Sequence, residues 1–491
     1  RHTIMSRIAD PDTTEDDGLW KLMIKGLPDA PFMPLHLAQA WGLVEPHHNY
    51  WLDRAGYASG DGWSEEHREE LDALLAQAAE DEGREPTFPD RAVISIDAPT
   101  TRDVDDAFFI EPRPEGGWNL TLALACPAYR WPFCGKLDRA VFSRATSIYL
   151  PEATHHMLPE TLGTEAYSLL AGRTRPSMLV ECTVGADGLV ISCRPRLGFA
   201  RLAANLCYED CETALEGGES PASPYLEQLR QALALAELHQ QRRIENGAVI
   251  IERPDLNITL EGTGEDVTVS LSEDAPAPKA HLLVSELMVL TNAALAAWAK
   301  EHGVALLHRT QDVAIPKEFA GIWKAPLDVA RVVKALAPAV LETGPKPHAG
   351  LGEPLYAPST SPLRRYPDMI NETQIITTLR EGKPRWSREE LDTLLPLLNA
   401  HLDAAGQVQR FRPRYWKLLY FRQQGDRWWP AVITDENDAF VTVNMPKEQM
   451  VVRARRQFFG ERTHPGQELE IRLGKVHPLH NDFQLVETRE I

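Results

Sequence analysis

The sequence predicts a multidomain α+β protein with three parts: a small helical or winged-helix N-terminal domain, a large mixed α/β body and a C-terminal all-β barrel. Three observations carry this. Strand-like and helical segments alternate without a compositional break from about Arg91 to His401. Beyond Gln423, short β-like runs recur at a spacing of about ten residues. Ahead of both, the first 60 or so residues are aromatic and apolar with helical spacing. With 491 residues the chain has room for three or four domains. Its 43% apolar and 25% charged residues exclude a disordered chain, a collagen and a coiled-coil rod.

The elements follow in order. Pro31 and Pro34 precede the apolar run Leu35–Val44, and Gly42 reads as a helix stop. A short helix ending in glycine before a second apolar stretch suits a helix-turn-helix or winged-helix unit, or another small helical domain, over residues 1–62. Residues 63–90 read as an exposed linking helix. Ser64 stands as its N-cap, and Glu65, Glu66, Glu69 and Glu70 form a solvated face ahead of Leu71, Leu74 and Leu75. The body, 91–422, carries strand-like Val93–Ile96, Ala107–Ile110, Leu120–Leu124 and Val249–Ile251. Its helical segments are His281–Lys300, Val329–Ala337 and Glu389–Ala405. The last part, 423–491, holds β-like runs at Trp428–Ile433, Phe440–Val443, Met450–Ala454, Leu469–Leu473 and Phe483–Val486.

Net charge is −20, which repels phosphate at long range. The charge is unevenly spread: Ala405–Ile491 carries 14 Lys/Arg against 11 Asp/Glu, so the acid lies elsewhere. The most apolar runs, Leu120–Cys126 and Val284–Ala299, are too short for a membrane span or broken by Glu286, Thr291 and Asn292, so no membrane role is expected. No stretch reads as a secretory signal. Six scattered cysteines, with Cys207 and Cys211 the closest pair in an acidic context, read as ordinary thiols of a reducing cytoplasm.

The sharpest chemical feature is Ser95-Ile96-Asp97-Ala98-Pro99-Thr100-Thr101-Arg102-Asp103-Val104-Asp105-Asp106-Ala107. Four carboxylates fall within ten residues between two apolar strands, so the loop is pinned to a core. Crowded carboxylates repel, and burial worsens this. A hard, oxygen-preferring cation such as Mg²⁺ or Mn²⁺ relieves it. Asp97 and the Asp103-x-Asp105-Asp106 cluster suit two ions about 4 Å apart, an arrangement used in phosphodiester cleavage. An acidic surface turn is the plain alternative. An EF-hand fails, for it lacks glycine at position six and glutamate at position twelve. A second feature runs from Gly350 to Asn371, where a Gly/Pro/Ser/Thr loop leads into Arg364-Arg365-Tyr366 and a helix. Arginine forks onto phosphate oxygens and could offset charge at a reacting phosphate. A solvated helix start or a structural ion pair with Asp368 is the plainer explanation of this feature taken alone. Third, Tyr149 could stack on a base or sit as a core tyrosine. His155-His156 is a poor zinc pair, since adjacent side chains point apart.

Together these segments resemble the ribonuclease II (RNB-domain) family of 3′→5′ exoribonucleases. The match runs from about Arg91 to Asn371 in the family's order. It comprises the Asp97–Asp106 block, Arg144–Pro151 with Met157-Leu158-Pro159, Val284–Asn292 and Thr360–Asp368. The last segment resembles the family's OB-fold domain of the ribosomal protein S-one type. The resemblance implies a magnesium site at Asp97, Asp103, Asp105 and Asp106, with Mn²⁺ a possible substitute and Asp105 acting more in catalysis than in ligation. It implies that Arg364 stabilises the leaving side, and that Tyr149, Arg365 and Tyr366 contact RNA. The implied reaction is processive, metal-dependent hydrolysis of single-stranded RNA with a free 3′ end to nucleoside 5′-monophosphates, by a cytoplasmic monomer. Two departures stand out. A helix-rich piece occupies the place of the family's cold-shock pair, which leads to an expectation of altered entry for duplexes with a 3′ overhang. Ser285 and Glu372 stand where relatives often have an acid and a histidine. A catalytically inactive RNA-binding scaffold on the same fold is the alternative. An intact Asp block and Arg364 weigh against it.

Overall fold

The computed structural model of the chain describes residues 1–491 apart from Asp29 and Glu461. Its body is built on a six-stranded sheet in the order Val190–Arg201, Thr174–Val184, Trp118–Ala125, Asp106–Pro112, Ile94–Asp97, Ala204–Cys207. Every neighbouring pair is antiparallel except Ile94–Asp97 with Ala204–Cys207, which run parallel with Asp97 opposite Cys207. Leu120–Ala125 are buried one after another, so both faces of this strand are covered. That explains its near-continuous apolar run. Leu120, Leu122 and Leu124 are fully enclosed, each contributing roughly 1.5–3 kcal/mol of burial.

The C-terminal part is a curled five-stranded antiparallel sheet, the half-barrel of an OB-fold, in the order Met450–Arg455, Phe440–Met445, Trp428–Glu436, Glu468–His477, Asp482–Glu490. Burial alternates along Met450–Arg455 and Phe440–Met445, so one face lines a core around Trp429, Val441 and Ile471. Thr488, on one edge strand, donates to the Phe458 carbonyl just past the other edge strand, which draws the sheet's edges together.

Glu389–Ala405 is only the start of one helix, Arg388–Gln423, of 36 residues. A capping box of Ser387 with Glu390 starts it. Leu391 and Leu398 enter the body core, Ala405 and Val408 pack with Leu52, Tyr57, Ile148 and Leu150, and Leu418 and Phe421 enter the barrel core. The helix therefore ties all three parts together.

Several expectations need correction. The N-terminal piece is helical (His2–Ala9, Asp17–Met23, Met33–Ala40, Tyr50–Arg54), and Gly42 at φ +63° stops the third helix as read. No described residue before Ile94 lies in a strand, so there is no wing. Ser64 does not cap the next helix. It sits in a 3₁₀ turn, Gly62–His67, bonded to the Asp61 carbonyl, and the helix is Arg68–Glu82. Nor is the helix's acidic side merely solvated. Both Glu70 oxygens accept the first backbone N–H groups of the Lys136–Arg144 helix at 3.0 Å, and Asp81, 1% exposed, takes Arg130 in a bidentate pair at 2.8 Å. Anion capping of a helix start and fork pairing with arginine explain why acids belong there.

The apolar run near Val284 is likewise longer than it reads: one 24-residue helix, Pro278–Glu301, long and apolar enough to cross a membrane by length and composition. Here it is a core helix. Leu283, Leu287, Leu290 and Leu295 are buried, and Glu286, Thr291 and Asn292 find internal partners.

Candidate active site

The Asp block is the loop of a hairpin between Ile94–Asp97 and Asp106–Pro112, which pair antiparallel. Asp97 closes one strand and Asp106 opens the next. Between them Val104 is 3% exposed; its N–H donates to Ser168 Oγ at 2.9 Å and its carbonyl accepts from Leu169. The Asp105 carbonyl accepts from Ala125 at 2.7 Å. A loop held at these points cannot swing its carboxylates into solvent.

Burial is the first cause of the acids' perturbation. It pushes Asp97 up to about 7, helped by the charge of Asp106. It pushes Asp105 up to about 8 and Asp106 up to about 6, although the Arg364 charge pulls both back. Asp97 Oδ2 is buried with no hydrogen-bond partner. Such a set is costly until positive charge arrives.

Arg364 supplies some of it. The Leu363 N–H donates to Asp105 Oδ1 at 2.8 Å and Arg364 Nε donates to Asp105 Oδ2 at 2.9 Å, joining positions 258 and 259 residues apart. Arg364 Nη2 also donates to Ser361 Oγ at 3.1 Å. Its side chain is still 44% exposed, so part of the guanidinium faces the site's opening. Burial alone would lower its pKa, but the charges of Asp105, Tyr149 and Asp106 more than offset this and hold it firmly protonated.

The other expected residues divide. Tyr149 lies at the site with its ring 43% exposed and its hydroxyl donating to Asp103 Oδ2. Arg365 does not reach outward freely; its Nη2 donates to Asp368 Oδ1 at 2.7 Å, and the same oxygen accepts the Ser361 N–H. The pairing with Asp368 that the sequence left open is thus made by Arg365. Tyr366 is a correction. It is 4% exposed, and its hydroxyl donates to Asp138 Oδ1 at 2.8 Å, so no base can stack on it. As the first residue of the Tyr366–Glu381 helix, its side chain is turned towards the body core.

Three groups at or near the site were given no role there by the sequence. His156 Nδ1 lies 3.8 Å from Asp103 Oδ2. Tyr208, next to Cys207 on the strand beside Asp97, stacks on His281 at 3.9 Å; no local pattern marks it. Behind the Arg364 loop, Glu286 accepts from Arg243 Nε at 3.0 Å and pairs with His239 Nδ1 at 2.7 Å, while His239 Nε2 faces Glu353 at 3.3 Å. An acid inside an apolar helix and a His/Arg pair four residues apart were the available signals.

Glu372 is fully buried and neither carboxylate oxygen has a hydrogen-bond partner. Burial pushes its pKa well above 4.5. An acid with a raised folded pKa loses stability as pH rises past its unfolded value. Glu372→Gln is therefore expected to stabilise the fold at neutral pH by roughly 1–3 kcal/mol, the difference shrinking as pH falls towards 4.5 in thermal melts. A variant less stable at pH 7 would contradict this.

Among the described residues no three His, Cys, Asp or Glu side chains close around one point. Mg²⁺ does not require such a cage: it keeps several waters and takes one or two carboxylates together with substrate phosphates. Asp97 and Asp106 at adjoining strand ends, with an orphaned oxygen on Asp97, fit that mode. Asp105 is committed to Leu363 and Arg364 and fits it less.

Residues 87–381 match the RNB domain family. Among curated relatives, the chain is 27% identical over 426 residues to the chloroplastic/mitochondrial ribonuclease II of Arabidopsis thaliana, a match covering 84% of this chain and 52% of that protein. The chain thus spans about half the length of this relative. The fold is shared with the Dss1 exoribonuclease of Candida glabrata (TM-score 0.79, 20% identity, 98% of this chain and 66% of that one). It is also shared with RNase R of Mycoplasma genitalium in complex with ribose-methylated single-stranded RNA (TM-score 0.73, 17% identity, 89% and 77%). Yeast Ssd1, described as a pseudonuclease, has it as well (TM-score 0.61, 16% identity, 81% and 54%). With its hairpin of acids joined to Arg364 inside a domain that matches over 87–381, the chain belongs to the RNB-domain family.

Proposed function

We propose that this chain is a 3′→5′ exoribonuclease that degrades single-stranded RNA processively to nucleoside 5′-monophosphates, as a Mg²⁺-dependent cytoplasmic monomer in which Mn²⁺ can substitute. The observation that carries the reading is the joining of Asp105 to the Leu363 N–H and Arg364 across the whole body. Asp105 and Ser361 hold the guanidinium in one orientation, and its free edge meets the non-bridging oxygens of the scissile phosphate, where charge develops. Asp97 and Asp106, with Asp103 beside them, would hold the divalent ion or ion pair, which when bound supplies Lewis-acid activation and charge neutralisation. Water attacks phosphorus, the bond between phosphorus and the penultimate 3′ oxygen breaks and that oxygen takes up a proton, so the terminal nucleotide leaves as a 5′-monophosphate and the shortened strand keeps a 3′-hydroxyl. Tyr149, anchored through its hydroxyl, offers its ring to a terminal base. Contacts to 2′-hydroxyls would select RNA over DNA.

Stacking predicts the effect of Tyr149→Ala. Loss of about 1–3 kcal/mol per stacked base weakens hold on the last nucleotides. A ladder of end-products on a sequencing gel should then stop at a longer fragment than in the wild type. An unchanged end-product would remove Tyr149 from the nucleotide path.

The pseudonuclease fold-relative keeps the scaffold reading open to test. The decisive experiment is a time course on 5′-labelled single-stranded RNA with Mg²⁺, with Mn²⁺ and with EDTA. Conversion to one short end-product, lost in EDTA, is the expected result. Binding without cleavage under both metals would make the chain an RNA-binding scaffold instead.

A further inference from the structure

At the far end of the Tyr366–Glu381 helix from Arg364, about 24 Å away at 1.5 Å per residue, lies a groove of about 630 Å³ between the Pro127–Phe133 turn and the loop after Glu381. It is lined by Arg380, Lys383 and Arg385, none of which has an ion-pair partner among the described residues, and by Tyr129, Phe133 and Trp386. The guanidiniums lie on aromatic faces: Arg380 is 5.5 Å from the Tyr129 centroid, Arg385 is 4.9 Å from Phe133 and 5.2 Å from Trp386. Of the two lining acids, Glu390 is engaged in the helix cap with Ser387.

The loop is built, not loose. Gly382 at φ +77° ends the helix in the left-handed conformation that a side chain would oppose. Gln374, fully buried, then grips Trp386 at both its N–H and its carbonyl, each at 2.8 Å. Phe133 meets Trp386 edge-on at 5.2 Å, which fixes the opposite wall. Two arginines held against π faces with Lys383 beside them, none of the three ion-paired among the described residues, form a local exception to the field of a chain of net charge −20. Forked donors for phosphate oxygens beside flat rings for a base are the two halves of nucleotide recognition.

We infer that this groove is a second binding site, remote from the acids, for a nucleoside phosphate, either as part of an RNA strand or as a free mononucleotide. The assignment concerns binding alone, so it stands or falls apart from the proposed hydrolysis.

The test uses the full chain in EDTA, where hydrolysis is not expected, with fluorescent single-stranded RNA across a salt series. Arg380→Gln/Lys383→Gln/Arg385→Gln changes exposed side chains only. It is expected to bind RNA about tenfold more weakly and to lower the slope of log K against log salt by about 2, at roughly 0.7 per phosphate contact on a single strand. In parallel, AMP is titrated into wild type and variant, and wild-type protein is photo-cross-linked to 4-thiouridine RNA with peptide mapping. A reduced slope with cross-links at Tyr129 or Trp386 supports a strand site. AMP binding lost in the variant at an unchanged RNA slope supports a free-nucleotide site. If slope and AMP binding are both unchanged and no cross-link maps to the groove, the inference is overturned.

Discussion

Asp105→Asn is expected to slow turnover by about 10²–10³ while RNA stays bound. Asp105 offers both oxygens to the Arg364 segment, one to the Leu363 N–H and one to Arg364 Nε. An asparagine of the same shape can accept only one of them. Its amide NH₂ must then face a guanidinium donor, so Arg364 loses its fixed orientation. Removing one preoriented donor from a developing oxyanion costs about 10²–10³ in rate, or roughly 3–4 kcal/mol. The fall should appear in kcat in single-turnover assays. Binding in EDTA should hold, because Asp105, pushed up to about 8 by burial, carries little charge at neutral pH without the metal and asparagine keeps its shape. A kcat within about tenfold of wild type would detach Asp105 from the chemistry.

The second large effect is on stability. Glu286→Ala removes the acceptor shared by Arg243 and His239 while leaving the guanidinium buried. Breaking one partner out of a buried pair costs about 3–5 kcal/mol, which for a protein of this size is a melting temperature lower by roughly 3–5 °C. Arg243 also donates to the Leu351 carbonyl at 2.9 Å, and His239 faces Glu353, so the loop leading to Ser361 and Arg364 loosens with it. Replacing both charges, as in Glu286→Leu/Arg243→Met, should recover most of the loss, since a well-packed apolar pair can match a buried ion pair. A single-variant cost under about 1 kcal/mol would show the network to be dispensable. The pH dependence has two limits. Burial opposes charge on both groups, but their mutual contacts more than offset it, so Glu286 stays below 4.5 and His239 above 6.5. The stabilisation from Glu286 is complete above 4.5 and lost as pH falls through its lowered folded pKa. That from His239 is complete below 6.5 and lost as pH rises through its raised one.

Residues 1–93 show where local reading stops. Gly42 ended its helix as its type requires, yet nothing local separated a winged helix from a plain helical cluster, because a wing exists only where strands pair. Glu70 read as one more charge on a wet face, and Asp81 drew no reading at all. Their partners, the start of the Lys136–Arg144 helix and Arg130, come from about 50 to 67 residues away.

The chain by itself determined three of the six strands of the body sheet, the turn-bounded C-terminal sheet and the spacing that sets Asp97 and Asp106 at the two ends of one hairpin, while Thr174–Val184, Val190–Arg201 and Ala204–Cys207 went unread. What was legible depends on apolar patterning and on short loops, which neighbouring residues control. Only the tertiary structure decided which arginine meets which acid. Arg364 goes to Asp105 and Arg365 to Asp368, while Tyr366 turns inward to Asp138. Three consecutive residues point three ways because they lie where a loop becomes a helix, and each direction is set by a buried partner that is distant or turns on the fold of that loop. Burial also turned the acids from a repulsive cluster into a site, since a low-dielectric surrounding gives their charges force over a bound ion and a phosphate.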